Sequence, residues 1–151
     1  MENWSIPQLH INMLTLSRCR ELLTPYGLKL TEENLRQLEE ARICALRETD
    51  RIEFEGGILE ALLMALRASP YLMQDELTDT LSELQTLFYT FKGVCGEKLP
   101  DTELIDTLCQ LFNGPAHGST DLIAGLSGKD MLHIARTGVQ SSLFYGGADG
   151  N

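Results

Sequence analysis

The sequence of 151 residues contains no apolar run long enough to cross a membrane. A membrane-spanning helix needs about 20 consecutive apolar residues, and charged residues interrupt every window of that length. The first 14 residues, MENWSIPQLHINML, have neither the basic segment nor the small-residue cleavage site of a secretion signal. We therefore expect a cytoplasmic protein that does not bind membranes.

The sequence also lacks the common short motifs of catalysis and cofactor binding. It contains no GxSxG, HExxH or SxxK, and neither of the phosphate-binding patterns GxxxxGK[ST] and GxGxxG. These absences exclude the familiar forms of serine hydrolases, zinc peptidases and nucleotide-binding enzymes. We expect no cofactor, and no catalytic residue is assigned.

Cysteine and histidine are too few and too scattered to suggest a metal site. No CxxC, HxH or HxxxH pair is present to start a zinc site. In a reducing compartment the cysteines are expected to be free thiols. The residues concerned are Cys19, Cys44, Cys95, Cys109, His10, His117 and His133.

Basic residues are scarce, with 12 Lys and Arg against 22 Asp and Glu and a formal net charge of −10. An acidic surface repels the phosphate backbone, so we expect no binding to nucleic acid. The charge has three possible roles: it can keep the protein soluble, dock the protein onto a basic partner, or mimic the charge of a nucleic acid.

The strongest positive pattern is an amphipathic segment over residues 74–92, QDELTDTLSELQTLFYTFK. Its apolar residues recur at alternating steps of four and three, which places them on one stripe of a helix. Polar and acidic residues occupy the other side. The segment predicts a helix at the centre of the fold, with its stripe formed by Leu77, Leu81, Leu84, Phe88 and Phe91.

Similar patterns elsewhere predict an all-α protein, an irregular bundle of about six or seven helices with an extended N-terminal arm. Thr31, Ser119 and Ser127 have the residue types and positions of helix N-caps. We expect one helical domain over residues 1–138, with the arm at 1–14 and the helices at 15–138. A Gly-rich, flexible tail is expected over residues 139–151.

Arg42 has the most unusual position, at the centre of the apolar stripe of the second predicted helix. Such an arginine either pairs with a carboxylate or reaches water, or it binds an anionic ligand. The candidate carboxylates in the following connection are Asp50, Glu53 and Glu55. His117 is the best lone candidate for a general base or a ligand. Arg42, Glu53, Glu55 and His117 together form a candidate pocket.

A candidate interaction surface comes from apolar residues at the edges of the predicted helices. Tyr89 lies at the edge of the central stripe, where its hydroxyl is expected to reach the surface. Met73 and the cluster of Leu143, Phe144 and Tyr145 are the other members. Self-association through the 74–92 helix is a further alternative.

Four segments resemble a family of short bacterial proteins of unknown function: PYGLKLT (25–31), RIEFEGGILEALLMALRASPYL (51–72), TLSELQTLFYTFK (80–92) and DTELIDTL (101–108). The resemblance covers roughly residues 24–126. It implies a small, helical, bacterial cytosolic protein that works with other proteins. It implies no activity, cofactor or catalytic residue.

The sequence therefore leaves two candidate functions. The first is a non-catalytic protein–protein interaction or adaptor module, which predicts an exposed apolar patch of several hundred Å². The second is a small-molecule-binding or enzymatic domain, which predicts that Arg42, Glu53, Glu55 and His117 converge on one pocket.

Overall fold

Seven α-helices and no strand are present in the part of the chain that the computed structural model describes, residues 13–48, 58–141 and 143–144. The predicted all-α fold is confirmed. Short 3₁₀ turns connect several of the helices. The helices are α1 (Met13–Leu23), α2 (Glu32–Glu48), α3 (Leu59–Leu66), α4 (Leu77–Cys95), α5 (Asp101–Asn113), α6 (Thr120–Ala124) and α7 (Gly128–Thr137).

Helix α4 lies at the centre of the bundle, as the 74–92 pattern predicts. It contacts α2, α3, α5, α6 and α7. All five residues of the predicted stripe are buried. Residues on its other sides are buried too, among them Thr80, Gln85 and Lys92. The stripe is thus covered by the chain's own helices.

Side-chain caps fix the starts of three helices at the predicted residues. The Thr31 hydroxyl accepts the Asn34 N–H at 3.0 Å, and the Ser119 hydroxyl accepts the Leu122 N–H at 3.3 Å. Ser127 and Asp130 form a complete capping box. The hydrogen bonds from Ser127 lower the pKa of the Asp130 carboxyl.

Two buried polar side chains tie α4 to its neighbours. The Gln85 amide donates to the Leu38 carbonyl of α2 at 3.1 Å. The Lys92 ammonium donates to the Leu99 carbonyl at 2.6 Å and lies 2.9 Å from an Asp101 carboxylate oxygen. Buried polar groups need hydrogen-bond partners, and these bonds supply them for Gln85 and Lys92. They also fix how α4 packs against its neighbours.

The ends of the domain differ in detail from the sequence expectations. Helix α1 begins at Met13, and the rest of the predicted arm, residues 1–12, lies outside the described residues. At the other end, Val139, Leu143 and Phe144 are partly buried against the core. Packing of the domain therefore continues past residue 138, where the tail was expected to begin.

Candidate functional site

The structure places Arg42 on α2, partly buried and bound to a carboxylate of the same helix. Its Nε and Nη2 lie 3.2 and 3.0 Å from the same Glu39 oxygen. Arg42 and Glu39 are three residues apart, a spacing that brings side chains together on a helix and that could have revealed the pair. The predicted partners Glu53 and Glu55 lie outside the described residues.

His117 lies in the loop between α5 and α6, where it adopts a left-handed backbone conformation with φ of 49°. Its Nδ1 is 3.1 Å from the Tyr71 hydroxyl. The adjacent Gly118 allows this approach, because a Cβ there would lie 2.7 Å from the Tyr71 Cβ. The sequence pattern gives no sign of this contact, because 46 residues separate Tyr71 from His117 and only the fold brings them together.

Four of the surface cavities in the described part of the chain are lined by neither Arg42 nor His117. Arg42 lies on α2 beside Glu39, whereas His117 lies beside Tyr71. Because Glu53 and Glu55 lie outside the described residues, the four-residue pocket stays a prediction. No group of three or more metal-binding side chains occurs in the ranges described.

The four cysteines are free thiols, as predicted, and three of them are buried. Burial, with smaller contributions from Glu60 and Glu39, raises the pKa of Cys19 to about 12. Burial beside Asp106 raises the pKa of Cys109 to about 12, and burial also raises that of Cys95. A thiol must ionise to act as a nucleophile, so these three buried thiols are suited to packing.

The predicted interaction surface is only partly exposed. Met73 is 57% exposed, as expected. The expectation that Tyr89 reaches the surface is wrong: it is fully buried, edge-to-face with Phe88 at 5.0 Å between ring centroids. The reason is that α4 has neighbouring helices on most of its sides. Leu143 and Phe144 are half-buried, and Tyr145 lies outside the described residues.

A shallow cleft lies between the outer faces of α4 and α6 and has a volume of about 280 Å³. Its lining includes two apolar residues, Leu87 and Ala124, and two residues with carboxylate side chains, Glu83 and Asp121. The Thr120 hydroxyl donates to Oε1 of Glu83 and so orients that carboxylate. The lining, which contains no basic side chain, consists of Ser82, Glu83, Thr86, Leu87, Thr120, Asp121 and Ala124.

A second surface runs along α1 and α3. Helix α3 exposes an apolar face at helical spacing, and Met64 at its centre is 60% exposed. Beside it, a groove of about 370 Å³ separates α3 from α1. We call this the α3 face, and it consists of Ala61, Met64 and Ala65 of α3 together with Ala68 in the turn that follows the helix.

Charged residues border the α3 face at both ends. At the N-terminal end, Glu60 lies 3.9 Å from an Arg18 nitrogen in an exposed pair. At the C-terminal end, the Arg67 guanidinium stacks 5.0 Å from the Tyr26 ring centroid and donates to the Leu22 carbonyl at 3.2 Å. The result is an apolar centre with an acidic end and a basic end.

Among the helices that the structure describes, none has the length and apolar character needed to cross a lipid bilayer.

Comparisons with known proteins agree with the resemblance noted in the sequence. Searches of curated proteins and of solved structures found no match to the chain. A family model described as "Family of unknown function (DUF6323)" matches residues 15–141. This span extends beyond residues 24–126 on both sides and includes α4, the α4–α6 cleft and the α3 face. The chain therefore belongs to the DUF6323 family, a family of unknown function.

Proposed function

We propose that the protein is a non-catalytic interaction module of the bacterial cytoplasm that binds a basic segment of a partner protein in the α4–α6 cleft. The observation that carries the proposal is a cleft lined by both carboxylate residues, Glu83 and Asp121, and apolar ones, Leu87 and Ala124. Bacterial origin rests on the family resemblance. The four free thiols suit a reducing cytoplasm.

An arginine or lysine side chain matches the cleft in both shape and charge. Its aliphatic stem can pack on Leu87 and Ala124, while its cationic head meets Glu83 and Asp121. Hydrogen bonds between a cation and a carboxylate are the strong ones. Thr120 already holds the Glu83 carboxylate in place, so binding costs little further side-chain entropy.

The overall charge favours the same class of partner. With a formal net charge of −10, the protein attracts basic segments from a distance and accelerates their association. The α4–α6 cleft then supplies the short-range contacts that an acidic surface alone lacks.

The enzymatic or small-molecule alternative, with a site around Arg42, Glu53, Glu55 and His117, has less support. Arg42 binds Glu39 and His117 contacts Tyr71. Four of the cavities in the described part of the chain include neither side chain in their linings.

The proposal is tested by NMR titration of the full chain with a short peptide that carries one arginine, compared with the same peptide carrying neutral citrulline. We expect the arginine peptide to shift the amide signals of Leu87, Thr120 and Ala124. Glu83→Gln should weaken binding roughly tenfold, since a hydrogen bond to a charged group contributes about 1.5 kcal/mol or more.

Asp79→Asn is the matched control for charge. Asp79 is exposed one turn before Glu83 on α4 and lies outside the cleft lining. Asp79→Asn should leave the affinity for the arginine peptide nearly unchanged. Equal binding of the citrulline peptide, or equal weakening by Asp79→Asn and Glu83→Gln, would show that the cleft is not a specific site.

A further inference from the structure

Helix α3 is apolar on nearly all sides, yet the described part of the chain covers only one side of it. Leu59, Leu62, Leu63 and Leu66 are buried in the core. The opposite side carries the α3 face, whose exposed members recur at the i, i+3, i+4, i+7 spacing of a helix stripe. A helix that is apolar all round is normally buried all round, so the α3 face is suited to contact with another surface.

We propose that the α3 face binds the α3 face of a second copy, with the two helices antiparallel about a two-fold axis. This inference goes beyond the proposed function, because it concerns self-association and uses none of the cleft residues. A two-fold contact requires a patch that is complementary to itself. The shape and the charges of this face both satisfy that requirement.

The shape is self-complementary about a point between Met64 and Ala65. A two-fold axis at that point sets Met64 of one copy against Ala65 of the other, and Ala61 against Ala68. Met64 then faces the small Ala65, which is how large and small residues interdigitate in packed layers. The alanines also let the two helix axes approach to roughly 8 Å, the short end of the usual range for packed helices.

The charges are self-complementary in the same arrangement. Glu60 lies in the first turn of α3, and Arg67 follows its last turn. Antiparallel packing brings Glu60 of one copy within about two residues, or roughly 3 Å along the axis, of Arg67 of the other. The hydrogen bond to the Leu22 carbonyl uses one of the guanidinium N–H donors, and four remain for a carboxylate.

Parallel packing would bring like charges together instead, Glu60 beside Glu60 and Arg67 beside Arg67. The antiparallel arrangement is therefore the one that the charge pattern favours. Glu60 is available for it, because its contact with Arg18 is long and exposed at both ends. The α1–α3 groove, which begins at Met64 and Ala61, widens the contact beyond a single short helix.

Sedimentation equilibrium of the full chain tests the proposal over roughly 10 µM to 1 mM, a range suited to small interfaces. We expect the average mass to rise with concentration from 16.8 kDa toward twice that value. Met64→Glu should keep the protein monomeric throughout. Met73→Glu is the matched control: Met73 is similarly exposed, lies outside the α3 face, and should behave like the wild type.

A charge exchange identifies the antiparallel pairing. Glu60→Arg and Arg67→Glu should each reduce dimerisation, because each creates like charges across the axis. The double variant Glu60→Arg/Arg67→Glu should restore it. Circular dichroism of each variant separates loss of the dimer from loss of folding, which matters for Arg67 because it stacks on Tyr26.

The contrary results are equally clear. A wild type that remains monomeric over the whole range would overturn the proposal and leave the α3 face to another part of the chain or to a different protein. A dimer that survives Met64→Glu would place the interface elsewhere. If the double variant does not dimerise although both single variants are folded, the antiparallel arrangement is excluded. None of these results bears on the α4–α6 cleft.

Discussion

Helices α3 and α4 are both rich in apolar residues, but they differ in how many of their sides are buried. Helix α4 is covered on most sides and buries even Gln85 and Lys92, each with a hydrogen-bond partner. Helix α3 buries one side and exposes Met64 on the other. The comparison teaches that burial follows from which helices are adjacent, and that polarity alone does not decide it.

The largest effect is expected for Phe88→Ala in α4. Phe88 is 1% exposed, so truncation leaves a cavity among several helices. We expect a loss of about 3–5 kcal/mol in the free energy of unfolding, measured by urea denaturation. A loss below about 1 kcal/mol would mean that α4 is not the packed centre of the fold.

Lys92→Met should have the next largest effect on stability. The substitution keeps the length of the side chain but leaves the buried Leu99 carbonyl without its donor. We expect a loss of about 1–3 kcal/mol in the free energy of unfolding. Lys98→Met is the control, because Lys98 is exposed nearby and should change stability by less than about 0.5 kcal/mol. If Lys92→Met and Lys98→Met lower the free energy of unfolding by similar amounts, the buried hydrogen bond of Lys92 does not stabilise the fold.

The buried thiols predict a loss of stability at high pH. Cys109 has a folded pKa of about 12 against an ordinary value of 9.0, so the folded state holds its proton longer than the unfolded state does. Stability therefore falls as the pH rises from about 9 toward 12, by up to about 1.4 kcal/mol per pH unit for one thiol.

Cys109→Ala should flatten this fall, and denaturation curves across the pH range provide the measurement. Cys44→Ala is the control, since Cys44 is exposed and its removal should leave the slope unchanged. Identical slopes for wild type and Cys109→Ala would contradict the burial of this thiol.

The smallest effect is expected for Met64→Ala in α3. Met64 is 60% exposed, so its truncation should change the free energy of unfolding by less than about 0.5 kcal/mol when measured at low concentration. A loss comparable with that of Phe88→Ala would show that the α3 face is covered by another part of the same chain, and the contrast between α3 and α4 would disappear.

Local chemistry made much of the fold predictable from the sequence. The residues that start α2, α6 and α7 are N-caps whose side chains bond within the same turn. The central position of α4 follows from the regular spacing of its apolar residues. Both signals act over a few residues, and sequence patterns report such short-range effects well.

The candidate sites depend on contacts across the chain, and sequence patterns report these poorly. Tyr71 meets His117, and Glu83 meets Thr120, only because the helices pack in one particular way. The prediction that Tyr89 reaches the surface is wrong for the same reason. The spacing of one apolar stripe does not reveal which helices pack on the other sides of α4. Only the Arg42–Glu39 pair, three residues apart, was within reach of local reasoning.

Lys92 has a consequence for the order in which the protein opens. Its ammonium spans the corner between α4 and α5 by holding the Leu99 carbonyl and the Asp101 carboxylate together. Fraying of either helix end at this corner must break both contacts and expose a buried cation. Amide protons at the end of α4 and the start of α5 should therefore exchange with solvent together, as one cooperative unit with the core.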